Sequence, residues 1–271
     1  MKAEKYVCDC HVHSCHSPDG HSTLAEICQY AVEHRCRAVT VTDHCDISQE
    51  SLTDIISNAD KSVEDIENHK NVNSRLHLLT GVELGQPHHI PEESARLLAR
   101  HSYDFVLASV HNLRNREDFY YMDFSREAID VRDILRLYFD ELLEITAWGN
   151  FDSLAHLTYP LRYITGKYGI TVSLKSFEEQ ITHVLERLAQ TGKALEINTS
   201  GLRKPGGTLM PPEQILHRFY EVGGQLITVG SDSHKPRDIG SGIQYALATA
   251  EKCGFRYYAV YKNRKPEMIQ I

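Results

Sequence analysis

The segment YVCDCHVH (residues 6–13) decides the fold that we expect of this chain. Its apolar residues suit a β-strand, and side chains two apart on a strand lie on the same face, so His11 and His13 can reach one metal ion together. Asp9 shares that face, whereas the two cysteines of the segment lie on the opposite one. We therefore predict that these cysteines are packed, inert thiols and not ligands, since free cysteine is among the most buried residue types.

Similar short apolar runs recur along the chain and alternate with amphipathic segments. Strands are predicted at residues 6–13, 38–44, 76–83, 105–111, 153–157, 194–200 and 225–232, with a weaker one at 257–261. Helices are predicted at about 22–36, 52–72, 92–101, 126–147, 174–191, 212–223 and 243–253. This alternation indicates a parallel sheet with helices outside it. Seven convincing units, where a complete barrel has eight, predict an incomplete or distorted α/β barrel.

Potential metal ligands stand where the predicted strands end. They are His11, His13, His44, Glu83, His111, His156, Asp232 and His234. In α/β barrels the active site forms at the carboxyl ends of the strands, and so many solvation-demanding side chains at one rim need a common partner. Imidazole and carboxylate groups suit Zn, Mn, Fe or similar divalent ions, and a carboxylate can bridge two of them. The pattern predicts two or three divalent ions and a metal-dependent hydrolase.

The bulk composition narrows the function classes. Of the 271 residues, 41% are hydrophobic and 24% are charged, as in ordinary globular proteins. The net charge of -8 argues against a general nucleic-acid-binding surface, although it is compatible with a locally positive pocket. We see no cleavable leader and no membrane-spanning run, and the seven cysteines lack the C-x-x-C spacing of a structural zinc site. A cytoplasmic protein with reduced thiols is therefore expected.

A series of short motifs, in order along nearly the whole chain, resembles the PHP (polymerase and histidinol phosphatase) domain family. The motifs are HVHS with SPDG (11–14 and 17–20), TDH (42–44), GVE (81–83), SVH (109–111) and GSDSH (230–234). The resemblance implies a distorted (β/α)7 barrel of the TIM type. It also implies that residues 1–271 form one PHP-type metal-dependent phosphoesterase domain with a trinuclear metal centre.

The family pattern also implies a division of nine ligands among three ions. It assigns His11, His13, Glu83 and Asp232 to the first ion, the bridging Glu83 with His111 and His156 to the second, and Asp19, His44 and His234 to the third. Asp19 lies in the loop after His13, so strand ends alone do not predict it. A metal-bound hydroxide held by Glu83, Asp232, His11 and His13 is the implied nucleophile.

The segments HLTYPLR (156–162) and NTSGLRK (198–204) resemble the stand-alone histidinol-phosphatase branch of the family. The implied reaction is hydrolysis of L-histidinol phosphate to L-histidinol and phosphate in histidine biosynthesis. Because arginine grips phosphate oxygens in a bidentate way, we predict that Arg162 and Arg203 bind substrate, with Asn198 as a further contact. Glu196 shares a strand face with Asn198 and is equally suited to support a ligating histidine or to contact the substrate amine.

Two alternatives stay open at this point. The same metal site would also serve another phosphoesterase of the family, acting on a nucleotide, an oligonucleotide end or phosphotyrosine, or the chain is a non-catalytic metal-binding barrel. We expect a small phosphate monoester as the partner, and neither nucleic acid nor membrane. Phosphate-binding G-x-x-x-x-G-K-[ST] and dinucleotide-binding G-x-G-x-x-G loops are absent. His88 and His89 are expected to be bystanders, although they follow the Glu83 strand closely enough to line the pocket.

Overall fold

Seven parallel strands form a nearly closed barrel in the computed structural model, which describes residues 7–47, 52–204 and 207–271. The strands of this sheet are β1 (Val7–Val12), β2 (Cys36–Val41), β3 (His44–Asp46), β4 (His77–Gly85), β5 (Phe105–Ser109), β6 (Ser153–Leu154), β7 (Ala194–Asn198) and β8 (Ile227–Gly230). Seven of these eight strands form the barrel in the order β1-β2-β4-β5-β6-β7-β8, and the eighth, the short β3, pairs with β4 off this path. The predicted distorted (β/α)7 barrel is confirmed. Residue 6, where the first predicted strand begins, lies outside the described residues.

Helices connect these strands and cover the outside of the barrel. They are α1 (Leu24–Glu33), α2 (Leu52–His69), α3 (Pro91–Leu98), α4 (Val131–Trp148), α5 (Leu161–Ile164), α6 (Glu178–Thr191), α7 (Glu213–Glu221) and α8 (Ile243–Lys252). The helix predicted from residue 126 begins only at Val131, because the Asp130 side chain accepts the N–H groups of Arg132 and Asp133 and so caps the helix there. The loop that follows β5 is correspondingly long.

The segment predicted as a weaker strand at 257–261 does not join the barrel. It forms an antiparallel hairpin of β9 (Tyr257–Lys262) and β10 (Lys265–Gln270). The N–H of Arg264 donates to the carbonyl of Asp104 at 2.9 Å, and Arg264 pairs with Asp152. Because Asp104 and Asp152 directly precede β5 and β6, the hairpin covers the amino ends of the strands. The open end of the barrel is therefore the carboxyl end.

The first and last strands of the barrel meet through a few hydrogen bonds. The N–H of Asp232 donates to the carbonyl of His11 and the N–H of His13 donates to the carbonyl of Ser233, both at 2.8 Å. Below them, the buried carboxylate of Asp9 accepts the N–H groups of Ser231 (2.8 Å) and Gly240 (2.7 Å). This junction, which we call the β1–β8 seam, closes the sheet.

The cysteines are free thiols, and Cys8 and Cys10 are only 1% and 3% exposed, as expected of packed side chains.

Within the described ranges, no helix combines the length and the apolar character that crossing a bilayer requires.

Candidate metal centre

The predicted ligands meet at the carboxyl ends of the strands. His11 and Glu83 lie within β1 and β4, whereas His111, His156 and Asp232 each lie two residues beyond the last residue of a strand. The strands are thus shorter than predicted at this rim. Asp232 and His234 lie beyond the end of β8, so strand alternation does not place their side chains. Asp232 adopts a left-handed backbone conformation (φ 52°), which aspartate tolerates better than most residues.

Glu83 stands at the middle of the cluster and is fully buried. Its Oε2 lies 3.2 Å from His11 Nε2 and 3.0 Å from His44 Nδ1. Its Oε1 lies 2.7 Å from His156 Nε2 and 3.1 Å from His111 Nε2. The two oxygens thus face different histidines, which is the arrangement that a bridging carboxylate requires.

Asp232 and Asp19 lie on the other side of His13. Asp232 Oδ1 is 3.4 Å from His13 Nε2 and 3.5 Å from His234 Nδ1. Asp19, in the loop after β1, lies 3.2 Å from His234 Nε2 and 3.6 Å from His44 Nε2. Since the His13 ring also stacks on His44 and His234 at 4.2 and 4.1 Å, the predicted first and third ligand groups are contiguous.

Hydrogen bonds on the far side of the rings fix which nitrogens are free. His11 Nδ1 is 2.6 Å from Glu196 Oε1, and His111 Nδ1 is 2.7 Å from Asp46 Oδ1. An ionised carboxylate only accepts, so each Nδ1 carries a proton and each Nε2 is the ring nitrogen that faces the other predicted ligands. Ser17 Oγ donates to Asp43, and therefore accepts from His13 Nδ1 at 3.1 Å.

The free nitrogens then point at one another. His11 Nε2 and His13 Nε2 are 2.9 Å apart, and both nitrogens face carboxylate oxygens. His44 Nδ1, 3.0 Å from Glu83 Oε2, has no hydrogen-bond partner of acceptable geometry although it is buried. Imidazole nitrogens and carboxylates packed this closely need positive charge among them, which protons on the rings or bound cations supply. The donor set therefore fits divalent metal ions that take nitrogen and oxygen ligands.

The electrostatics of the cluster agree with this donor set. Burial opposes ionisation of Glu83, but His11 and His111 outweigh it and hold the pKa of this carboxyl well below its usual range. Burial similarly opposes ionisation of Asp232, and His11 and His13 lower its pKa well below normal. The pKa of His13 is lowered well below its usual value by burial and by His234 and His44, so that this ring is neutral, as a ligand must be.

The predicted substrate contacts have different surroundings. Arg162 faces the centre, with Nη1 3.5 Å from Asp232 Oδ2 and 3.3 Å from Ser200 Oγ. Arg203 donates to the backbone carbonyls of Ser231 (2.7 Å) and Asp232 (2.9 Å), and so braces the segment that carries Asp232.

Asn198 is fully buried and engaged by the chain itself. Its amide donates to Glu196 at 3.2 Å, and its oxygen accepts from the N–H and the hydroxyl of Ser200 at 2.9 and 2.7 Å. These contacts favour a supporting role for Asn198 over the predicted contact with substrate. Glu196, which also accepts the N–H of His156 at 2.7 Å, supports two ligand-bearing segments, one of the two roles that the sequence left open.

Two acidic residues near the centre escaped the sequence interpretation. Asp46 lies two residues after the TDH motif, and its carboxylate accepts a hydrogen bond from His111 Nδ1. The two residues are 65 positions apart in the sequence, so no local pattern predicts this contact. Asp118 lies in the long loop after β5, which is anchored where the N–H of Phe119 donates to the carbonyl of His111 at 2.9 Å. Burial raises the pKa of Asp118 while His111 lowers it, so its carboxylate lies within electrostatic range of the centre.

The fold and the site define a class of protein: a parallel α/β barrel with groups of metal-binding side chains at the carboxyl ends of its strands. Within that class, the chain belongs to the PHP domain family, whose model matches residues 9–200.

Similar proteins cover nearly the whole chain. A probable histidinol-phosphatase of Clostridium acetobutylicum is 28% identical over 253 residues, which are 92% of this chain and 95% of that protein. The histidinol-phosphatase of Lactococcus lactis is 27% identical over 260 residues, 95% of each chain. A crystal structure of histidinol phosphate phosphatase from Lactococcus lactis, complexed with Zn, L-histidinol and phosphate, matches with a TM-score of 0.83 at 25% identity and covers 96% of this chain and 98% of that one.

Proposed function

We propose that this protein is a metal-dependent phosphomonoesterase that hydrolyses L-histidinol phosphate to L-histidinol and phosphate. One observation carries the proposal: imidazole nitrogens and ionised carboxylates converge beside Arg162, at the open end of the barrel. The full-length likeness to an enzyme crystallised with Zn, L-histidinol and phosphate supports the choice of substrate.

Glu83 and eight residues around it would hold the ions. They are His11, His13, Asp19, His44, Glu83, His111, His156, Asp232 and His234. When bound, clustered divalent ions lower the pKa of water and stabilise charge on phosphoryl oxygens. Elemental analysis of the purified protein would measure the number and identity of the ions.

Arg162 would bind the phosphate group of the substrate. Its guanidinium lies beside Asp232 and Ser200, with Nη1 3.5 Å from Asp232 Oδ2 and 3.3 Å from Ser200 Oγ. A guanidinium offers five N–H donors in a planar fork that matches phosphate oxygens. Arg203 donates hydrogen bonds to the carbonyls of Ser231 and Asp232, so its main contribution would be to keep Asp232 in position.

Asp118 would attract the positively charged amine of histidinol. Its carboxylate accepts the N–H of Tyr120 at 2.7 Å, and among the described residues no lysine, arginine or histidine pairs with it. Burial raises the pKa of the Tyr163 hydroxyl, which also responds to both Arg162 and Asp118 in opposite directions. The proposed anion-binding and cation-binding groups therefore lie within electrostatic range of the same tyrosine, which suits a substrate with a phosphate at one end and an amine at the other.

We place the reaction in histidine biosynthesis, and we propose the cytoplasm as its location because the seven cysteines are free thiols.

A substrate panel tests the proposal. Protein loaded separately with Zn²⁺ and Mn²⁺ is assayed for phosphate release from histidinol phosphate, a nucleoside monophosphate, a phosphotyrosine peptide, an oligonucleotide 5′-phosphate and p-nitrophenyl phosphate. We expect the highest kcat/KM with histidinol phosphate and none in the His111→Ala variant. A flat profile, or preference for another compound, would overturn the substrate assignment. The absence of hydrolysis in every metal-loaded sample would favour a non-catalytic barrel.

A further inference from the structure

A second cluster of metal-binding side chains lies outside the rim and shares no residue with it. His88 and His89 lie in the turn between β4 and α3, and Glu141 lies in the middle of α4. His88 Nε2 is 3.0 Å and His89 Nε2 is 2.7 Å from the same oxygen, Glu141 Oε2. We call these three residues the turn–helix cluster.

Glu141 lies on the buried face of α4, where the helical pattern predicts an apolar side chain. Its neighbours on the buried face are Tyr138, Leu142 and Ile145, and Glu141 itself is buried. A buried carboxylate is costly unless its charge is compensated. The nearby guanidinium of Arg114 pairs with Glu144 at 2.8 Å, and only the backbone N–H of Arg114 reaches Glu141. Compensation for the charge of Glu141 must therefore come from the two histidines or from an ion between them.

His88 suits ligation better than positive charge. Burial lowers the pKa of His88 from its ordinary value, so this ring is neutral at pH 7, while the pKa of Glu141 is lowered to about 2 despite its burial, by hydrogen bonds from His88 and His89. A neutral imidazole and an ionised carboxylate are the forms that bind metal. His88 Nδ1 has no hydrogen-bond partner. Because the contact with Glu141 is made by the other ring nitrogen, this atom does not distinguish a cluster that binds an ion from one held by hydrogen bonds alone.

We infer that the turn–helix cluster is a separate binding site for one divalent ion of the Zn²⁺ type. The three ligand atoms lie within 4.8 Å of one another and are contributed by two imidazoles and one carboxylate. This set of ligands suits zinc, with water completing the four-coordinate shell. The short contacts of the cluster, 2.7 and 3.0 Å, resemble those between ligands at the rim.

Such an ion would tie the β4–α3 turn to α4. The same turn carries Gln86, whose side-chain oxygen accepts the N–H of His111 at 2.6 Å. The guanidinium of Arg114 also reaches the carbonyls of His88 and His89, at 3.5 and 3.4 Å, and so links the turn to the loop that carries Asp118. The site would therefore brace the rim from outside and take no part in the reaction.

Metal counting in saturated protein tests the inference. The complete chain is incubated with excess Zn²⁺ alone, freed of unbound ion by gel filtration, and analysed for zinc per chain. His89→Gln is the informative variant, because glutamine keeps an N–H donor for Glu141 and so preserves a cluster held only by hydrogen bonds. His101→Gln is the matched control, since His101 also contacts a carboxylate, Asp60 at 2.6 Å, outside both clusters.

We expect His89→Gln to hold one zinc equivalent fewer than wild type and His101→Gln to hold the same number. Equal zinc content in wild type and His89→Gln would overturn the inference, whatever the substrate panel shows. Should His89→Gln fail to fold, Glu141→Gln is measured in the same way. A Co²⁺-substituted sample adds a spectroscopic readout: loss of one component of its visible absorption in the variant supports the site, and an unchanged spectrum contradicts it.

Discussion

Replacing Glu196 by glutamine tests whether an outer carboxylate keeps the ligands in place. Glu196 uses one oxygen for His11 Nδ1 (2.6 Å) and the other for the N–H of His156 (2.7 Å). Glutamine has the same shape but a single oxygen, so one of these two buried donors would face its NH2 group. A buried donor left unsatisfied costs about 1–3 kcal/mol. Losing the outer partner of a ligating histidine weakens metal binding about 10–100-fold, which corresponds to ~1.4–2.8 kcal/mol. The two estimates agree.

Competition with a chromophoric chelator measures the effect directly. We expect Glu196→Gln to lose metal affinity by about 10–100-fold, and kcat/KM at limiting metal to fall by a similar factor. The control is a double variant, Ser153→Ala with Thr228→Val, which removes a buried hydroxyl pair 2.8 Å apart in the strands on either side of β7. It should keep the metal affinity of the wild type. Equal affinity in Glu196→Gln and wild type would refute the idea that this carboxylate holds His11 as a ligand.

Further predictions concern the centre and the substrate. Glu83→Gln should lose metal at both positions that its oxygens face, seen by elemental analysis, with loss of hydrolysis. Arg162→Lys keeps the charge but loses the planar fork, so kcat/KM should fall roughly tenfold, the equivalent of one charge-assisted hydrogen bond of ~1.5 kcal/mol. Asp118→Asn should raise KM for histidinol phosphate by about tenfold on the same reasoning, while p-nitrophenyl phosphate, which has no amine, should be hydrolysed as by wild type. Gly230→Ala would bring a Cβ within 2.3 Å of His11 Cβ, so it should destabilise the fold by about 1–3 kcal/mol in urea unfolding and weaken metal binding.

The alternation of strands and helices was sufficient to predict the barrel, because each apolar run and each amphipathic run has its own period. The ends of the strands were less predictable. β5, β6 and β8 stop two residues before their ligands, since ladder pairing with neighbouring strands, which the local sequence does not encode, decides where a strand ends.

The proposed ligands were easier to predict than the residues that support them. Histidines and acids at strand ends stand out in a sequence, whereas Asp46 and Ser17 look like ordinary loop residues until the fold brings them behind His111 and His13. His88 and His89 were interpreted as bystanders because their partner, Glu141, lies more than fifty positions away on a helix. Contacts of this kind depend on tertiary packing, and a single sequence does not contain a local signal for them.

The β1–β8 seam has a consequence for how the protein is made. Its hydrogen bonds join His11 and His13 to Asp232 and Ser233, which are translated more than 200 positions later. A nascent chain that stops before β8 therefore carries the first two proposed ligands without the carboxylate that completes their proposed group. With this ligand set, closing the barrel and assembling the first metal position would be one event, and metal loading there would follow synthesis of Asp232.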